Sequence, residues 1–319
     1  MCDLNNPIFK SEDKARQHLE RLRWPDGPVC PHCGAMERMA KIETESARPG
    51  LYYCNHCTKQ YTVTVGTVFE RSHVPLNKWV LAFHLVCASK KGMSSKQIER
   101  MLGVTYKTAW FMTHRIREAM KPNGTGFLGS GGGTVEVDET FWGNNKRSKK
   151  SREYSGRGYE HKMKVFSLVE RGGKVRSFHV PAVNAKTLKP IIEAQMSKEA
   201  HLMTDDAGQY RILGPVSASH EAVAHSRGEY ARGTAHTNTV EGYFSLLKRG
   251  LIGTFHHVGE QHLQRYVNEF DFRYNHRETR VKVEGKWEKA GFSDTERTIA
   301  ALKGISGKRL TYRRANETA

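Results

Sequence analysis

The sequence predicts a multidomain α+β protein: a small cysteine-held β module, a helical segment and, past a glycine-rich joint, a mixed α/β domain. Three observations carry that prediction. Two Cys-x-x-Cys pairs, Cys30/Cys33 and Cys54/Cys57, lie near the N terminus. Three helical patterns with capping residues follow between Leu76 and Lys121. From Thr134 onward, alternating strand patterns give way to a helix, another strand and a long amphipathic helix. The 319 residues suggest about two domains as a prior, and 38% hydrophobic with 9% aromatic residues is enough to build real cores.

The gap between the cysteine pairs holds 20 residues, Gly34 to Tyr53. At that spacing two knuckles can meet on one tetrahedral Zn²⁺. Four thiolates close the coordination, so the ion expected is structural, and residues 1–72 read as a zinc ribbon. His32 and His56 sit inside the knuckles and are left spare. The alternation of Gln60-Tyr-Thr-Val-Thr-Val-Gly suits a ribbon strand. Cys2 and Cys87 remain, the latter a core residue within LAFHLVCA. No stretch approaches the roughly 20 apolar residues of a membrane span, and the first residues lack the apolar run of a secretory signal. A reducing, cytoplasmic setting is therefore expected, with no membrane partner, and it favours metal ligation over disulfides.

Residues 73–122 carry NKWVLAFHLVCAS, SSKQIERMLG and TYKTAWFMTHRIREAMK. Ser94 or Ser95 would cap the second helix, Gly103 would make the turn, and Thr105 would cap the third. The pattern fits a helix-turn-helix whose third helix enters the DNA major groove, with Tyr106, Lys107, Thr108 and Arg115 facing outward. It fits a plain three-helix packing unit equally well. Charge separates the two: 51 Lys plus Arg against 33 Asp plus Glu give a net +18, which favours a polyanionic partner.

NGTGFLGSGGG has six glycines between Gly124 and Gly133, so residues 123–133 read as a flexible joint. The catalytic domain expected over 134–290 starts with strands at Thr134–Phe141, His161–Glu170 and Lys174–Val180. A helix at Ala185–Ser197 and a strand at His201–Asp205 come next. A short helix near Gly208–Leu213, a strand near His220–Ala224 and a long helix from Thr237 complete it. That is the element order of an RNase H-like fold. Asn144 to Lys164 holds eight Lys or Arg and two Glu. Such a run is as often a solvated loop as a functional one, yet beside an active site it would meet a nucleic-acid backbone, through Lys146, Arg147, Lys149 and Lys150. Residues 291–319 read as a polar, peripheral tail.

Three carboxylates stand out. In VEVDETFW, Val135 and Val137 alternate with Glu136 and Asp138; LMTDDAGQY is a strand running out at Asp205; in NTVEGYFSLLKRG, Val240, Phe244, Leu247 and Leu251 form an apolar helical stripe beside Glu241. Lys248 falls within about 20° of Glu241 on that helix. Two strand acids and one helix acid form a hard oxygen site suited to Mg²⁺ or Mn²⁺. Asp205 follows Asp138 by 67 residues and Glu241 follows Asp205 by 36. With VDETFWG, HTNTVEGYFSLLKRGLIGTFHHV and LQRYVNEFDFRYNHR added, the chain resembles the bacterial insertion-sequence DDE transposases of the ISXO type, from about Asp13 to Arg280. Those proteins carry a zinc ribbon and a helix-turn-helix ahead of the DDE domain.

The resemblance implies that Asp138, Asp205 and Glu241 bind two divalent ions and that Lys248 contacts a phosphate. Some relatives use asparagine as the third ligand, which makes Asn238 the alternative; Glu241 supplies a charge that an amide cannot. Arg249, beside Lys248, is a further DNA contact. His256 and His257 suit DNA contact or packing, and Asn275 and Arg277 a structural or backbone-contacting role. The activity implied is transposition: binding of terminal inverted repeats, nicking of the element ends, and joining of their 3′-hydroxyls to target DNA by a homo-oligomer. An inactive, domesticated DNA-binding regulator is the alternative, and a nuclease of the same metal chemistry a third reading.

Overall fold

The computed structural model describes residues 4–122, 126–143, 159, 161–211, 216–224, 227–229, 231–283 and 286–310. Cys2 and the basic residues Lys146, Arg147, Lys149 and Lys150 lie outside them. Contacts divide the chain into two compact units, Met1–Lys121 with Arg277–Ala319, and Pro122–His276.

The first unit opens with α1 (Glu12–Arg23), whose Ser11 hydroxyl accepts the Lys14 amide. Strands β1 (Met39–Ile42), β2 (Leu51–Cys54) and β3 (Lys59–Tyr61) then form an antiparallel sheet in that order. Trp24, Tyr52 and Tyr61 pack ring on ring beneath it. The alternation expected through Gly66 ends at Tyr61, because the chain then turns on itself, with the Thr62 and Thr64 hydroxyls 2.8 Å apart. Helices α2 (Leu76–Ala88), α3 (Ser95–Leu102) and α4 (Tyr106–Met120) come next. Their signals work as expected: Ser94 caps α3, Gly103 ends it in the left-handed region at φ 59°, and Thr105 caps α4. Most of α4 beyond Ala109 is buried.

The second unit is built on a five-stranded mixed sheet. Its strands are β4 (Thr134–Trp142), β5 (Met163–Glu170), β6 (Val175–Val180), β7 (His201–Asp205) and β8 (Ser219–Val223), in the order β6-β5-β4-β7-β8. β4, β5 and β6 run antiparallel, while β7 pairs parallel to both β4 and β8. Helix α5 (Ala185–Gln195) covers one face, placing Leu188 and Ile192 against Val135, Val137, Phe166 and Leu202. A two-residue ladder, β9 (Ala231–Arg232) with β10 (Ala235–His236), leads into α6 (Asn238–Gly250), a π-helical turn at Leu251–Phe255, and α7 (Glu260–Asn275). Val240, Phe244, Leu247 and Leu263 bring α6 and α7 onto the other face, over Val165, Val169 and Val175.

The glycine-rich stretch is not a free joint where it is described. Leu128 is buried in the sheet core and bonds through its backbone to Gln195 and Ser197. A Cβ on Gly129 would stand 2.5 Å from that of Ala200, so the glycine permits a close approach.

The chain then returns to the first unit through a hairpin, β11 (Glu278–Val283) with β12 (Lys286–Gly291), and α8 (Asp294–Lys303). The expected polar tail is corrected here. Ser293 and Glu296 form a capping box, and α8 packs on α1, α2 and α4 with Ala301 and Leu302 buried.

Candidate active site

Side chains on β4 alternate between the two faces of the sheet. Val135, Val137 and Glu139 face α5; Glu136 and Asp138 face α6. The parallel ladder sets Glu136 opposite Met203 and ends there, so two residues further along, Asp138 and Asp205 stand where β4 and β7 part. Glu241 comes to the same place from the first turn of α6, accepting a hydrogen bond from the Thr237 hydroxyl at 3.0 Å. Asp138 registers this convergence. Burial, then the charges of Glu139, Asp205 and Glu241, push its carboxyl up to about 8 against the bond from the Glu139 amide. Carboxylates that resist ionising together are a donor set a divalent cation would relieve. The structure thus sets the three acids named from the sequence within electrostatic reach of one another, while their carboxylate oxygens do not all come within 4.8 Å as the cysteine sulfurs do. Asn238, the alternative third ligand, is the exposed first residue of α6.

Glu139 has a different occupation. Its carboxylate accepts bonds from the Tyr210 hydroxyl and from Gln209 Nε2, tying β4 to the turn that follows Asp205. Burial raises its own carboxyl as well, with the Tyr210 bond opposing. A cavity of about 310 Å³ opens beside Asp205 and Asp206 at the carboxyl ends of β7 and β8, with Arg211, His220 and Arg227 among its walls. Lys248 and Arg249 are exposed further along α6. Lys248 lies about 10 Å from Glu241 along the helix axis. His256 and His257 are exposed and His256 has φ 56°; among the described residues they belong to no group of three or more clustered metal-ligating side chains.

Asn275 has a structural place. Its amide side chain pairs with both the N–H and the C=O of Val175, at 2.7 and 2.9 Å. Further up the same helix, Asp271 accepts the Ser177 amide, and Gln264 accepts the His179 amide and donates to the Ser177 carbonyl. This stripe on α7 closes the otherwise open edge of β6.

In the first unit, Cys30, Cys33, Cys54 and Cys57 offer four sulfurs within 4.8 Å of one another. Cys30 and Cys57 are 3.6 Å apart, and Cys33 and Cys54 3.7 Å. A tetrahedron with Zn–S bonds of about 2.3 Å has edges of about 3.8 Å, so the four thiolates fit Zn²⁺. His32 and His56 are exposed and outside the cluster. Cys87 is a buried core residue, as expected.

Of the residues expected to face outward on α4, Tyr106 and Lys107 are exposed and Thr108 half-buried, all in the first turn. Arg115 is not outward. It is 7% exposed and donates to the carbonyls of Val68 and Glu70 at 2.7 and 3.1 Å. The helical wheel left that face free, but the 68–70 segment covers it. Sequence reasoning also missed the tie of Glu139 to Gln209 and Tyr210 and the pairing of buried Glu136 with Arg171 at 2.6 Å. Strand alternation does put Glu136 inward beside Asp138, which was the signal available; nothing in the sequence points from there to Arg171.

Comparison with known proteins gives consistent matches. The family model described as an ISXO2-like transposase domain matches residues 131–275, and that of a transposase zinc-ribbon domain matches residues 10–60. A chain of Halobacterium salinarum, described as an uncharacterized protein in transposable element ISH50, is 30% identical over 278 residues, which span 83% of this chain and 91% of its own. An uncharacterized transposase-like protein of Haemophilus influenzae is 27% identical over 110 residues, 34% of this chain and 88% of that one.

Proposed function

The chain belongs to the insertion-sequence transposases that carry an ISXO2-like domain, and on that footing we propose that it is an active DDE enzyme, with Asp138, Asp205 and Glu241 as its metal-binding acids. The observation that carries the reading is the convergence of two strand acids and one helix acid on a single face of a mixed sheet. The order of that sheet, three antiparallel strands joined to two parallel ones, fits the RNase H-like fold read from the sequence.

Two Mg²⁺ or Mn²⁺ ions bound there would supply the charge that activates a water or 3′-hydroxyl and stabilises the leaving 3′-oxygen. The protein's own part is positioning. Asp138 and Asp205 hold their carboxylates where β4 and β7 separate, and α6 brings Glu241 to them. Lys248 and Arg249 bind the phosphate backbone beyond the acids, and the basic run with Lys146, Arg147, Lys149 and Lys150 supplies further cations for it by its charge alone. Helices α3 and α4 act as a helix-turn-helix, with Tyr106, Lys107 and Thr108 at the end that enters the major groove. Together with the zinc ribbon they bind the terminal inverted repeats. Two ends must be joined to one target, so the working form on DNA is at least a dimer. Its place is the cytoplasm, at the nucleoid.

The test uses purified protein, a labelled duplex from the DNA flanking its gene, a target plasmid and Mg²⁺. Wild type should nick the duplex at a defined end and join label to plasmid. Asp138→Asn and Asp205→Asn should bind the duplex with unchanged affinity and yield neither product. Equal loss of binding and cleavage would overturn the assignment of roles. Specific binding by wild type without any product would mean a DNA-binding regulator.

A further inference from the structure

Asp138 shares its face of β4 with a second acid. Glu136 is fully buried and ringed by donors: Arg171 Nε at 2.6 Å, the amides of Thr239 and Val240 at 2.7 and 3.0 Å, and the Thr239 hydroxyl at 2.8 Å. His236 Nδ1 lies 3.2 Å away. The two amides belong to the second and third residues of α6, groups that a helix leaves without an internal partner. A threonine at the N-cap normally accepts one of them. Thr237 holds the N-cap position and caps no amide with its side chain; its hydroxyl donates to Glu241. The cap comes from the sheet, as a carboxylate at the positive end of a helix. Arg171 balances its charge and also donates to the carbonyls of Thr234 and His236, at 2.7 and 2.8 Å. Both Glu136 oxygens are engaged by these donors.

We propose that Glu136 is the positioning residue of the acid cluster. By capping α6 it pins that helix's first turn to β4, and it releases the Thr237 hydroxyl to aim Glu241 at Asp138 and Asp205. Of two acids two residues apart on one strand, one sets the geometry and the other holds the cation. The inference rests on the metal site proposed above.

The experiment is a Mn²⁺ titration of the full-length, zinc-loaded protein without DNA, reading free Mn²⁺ by electron paramagnetic resonance, with thermal melting alongside. Glu136→Gln puts an amide against Arg171. Thr237→Val keeps the Glu136 cap and removes only the hydroxyl that orients Glu241. Each should weaken Mn²⁺ binding roughly 10- to 100-fold, the range for residues that orient metal ligands. Thr237→Val should melt with wild type, and it decides the matter alone if Glu136→Gln misfolds. Asp138→Asn is the control and should abolish binding. Loss of Mn²⁺ in that control, with wild-type affinity in Thr237→Val and in any folded Glu136→Gln, would overturn the positioning role. Undiminished binding in Asp138→Asn would instead sink the metal-site assignment, and this inference with it.

Discussion

Arg115 and Lys107 stand on the same helix and have opposite work. Lys107 is exposed in the first turn of α4; Arg115 is buried, with its guanidinium on two backbone carbonyls. Replacing Lys107 with Ala should leave stability unchanged and lower the slope of log affinity against log salt by about one. Replacing Arg115 with Ala should leave that slope intact and cost on the order of 3 kcal/mol of stability, since charge-assisted bonds are lost and two carbonyls stay buried. Salt-titrated DNA binding and urea denaturation check both, and the same salt slope in the two variants would make Arg115 a DNA contact after all. A helical wheel could not separate them, because what covers Arg115 is remote from it along the chain. The four cysteines were legible for the converse reason: the spacing of the two knuckles itself brings them to one place.

Among the elements, α7 has an unusual task. Gln264, Asp271 and Asn275 present side-chain acceptors and donors to the open edge of β6, as a sixth strand would with its backbone. Asp271 is buried at the centre of that seam, where it accepts bonds from the Ser177 amide and hydroxyl and from Tyr243. Burial pushes its carboxyl up to about 6, against those bonds. A group raised above its unfolded value near 4 stabilises the fold below that value and loses the contribution as pH climbs through 6. The second unit should therefore lose on the order of 3 kcal/mol of this contribution between pH 4 and 7. Asp271→Asn should remove that part of the decline, and parallel denaturation curves for variant and wild type across the window would refute it. For Asn275, in the late LQRYVNEFDFRYN stretch, the sequence leaves a structural and a DNA-backbone role both open, because an edge strand is a property of the assembled sheet.

Across the whole molecule, the first unit is completed only by residues that come after the second. His84 meets Thr298 and Arg297 reaches the carbonyl of Cys87, while Lys308 bonds the carbonyls of Ala119 and Lys121 at the end of α4. Burial brings the Lys308 ammonium down to about 8. A chain ended after Gly291 keeps every cysteine and every candidate catalytic acid, yet it should lose the melting transition of the first unit and its duplex binding. Retention of both would make α8 dispensable. The sequence held a signal for this helix, the capping box at Ser293 and Glu296, but a helix start does not reveal which distant surface the helix will cover. The arrangement has a consequence for synthesis and decay. A ribosome that stops early, or a frameshift anywhere in the second unit, leaves a product without its closing helix, so aborted copies should emerge with an unfinished first unit open to proteolysis.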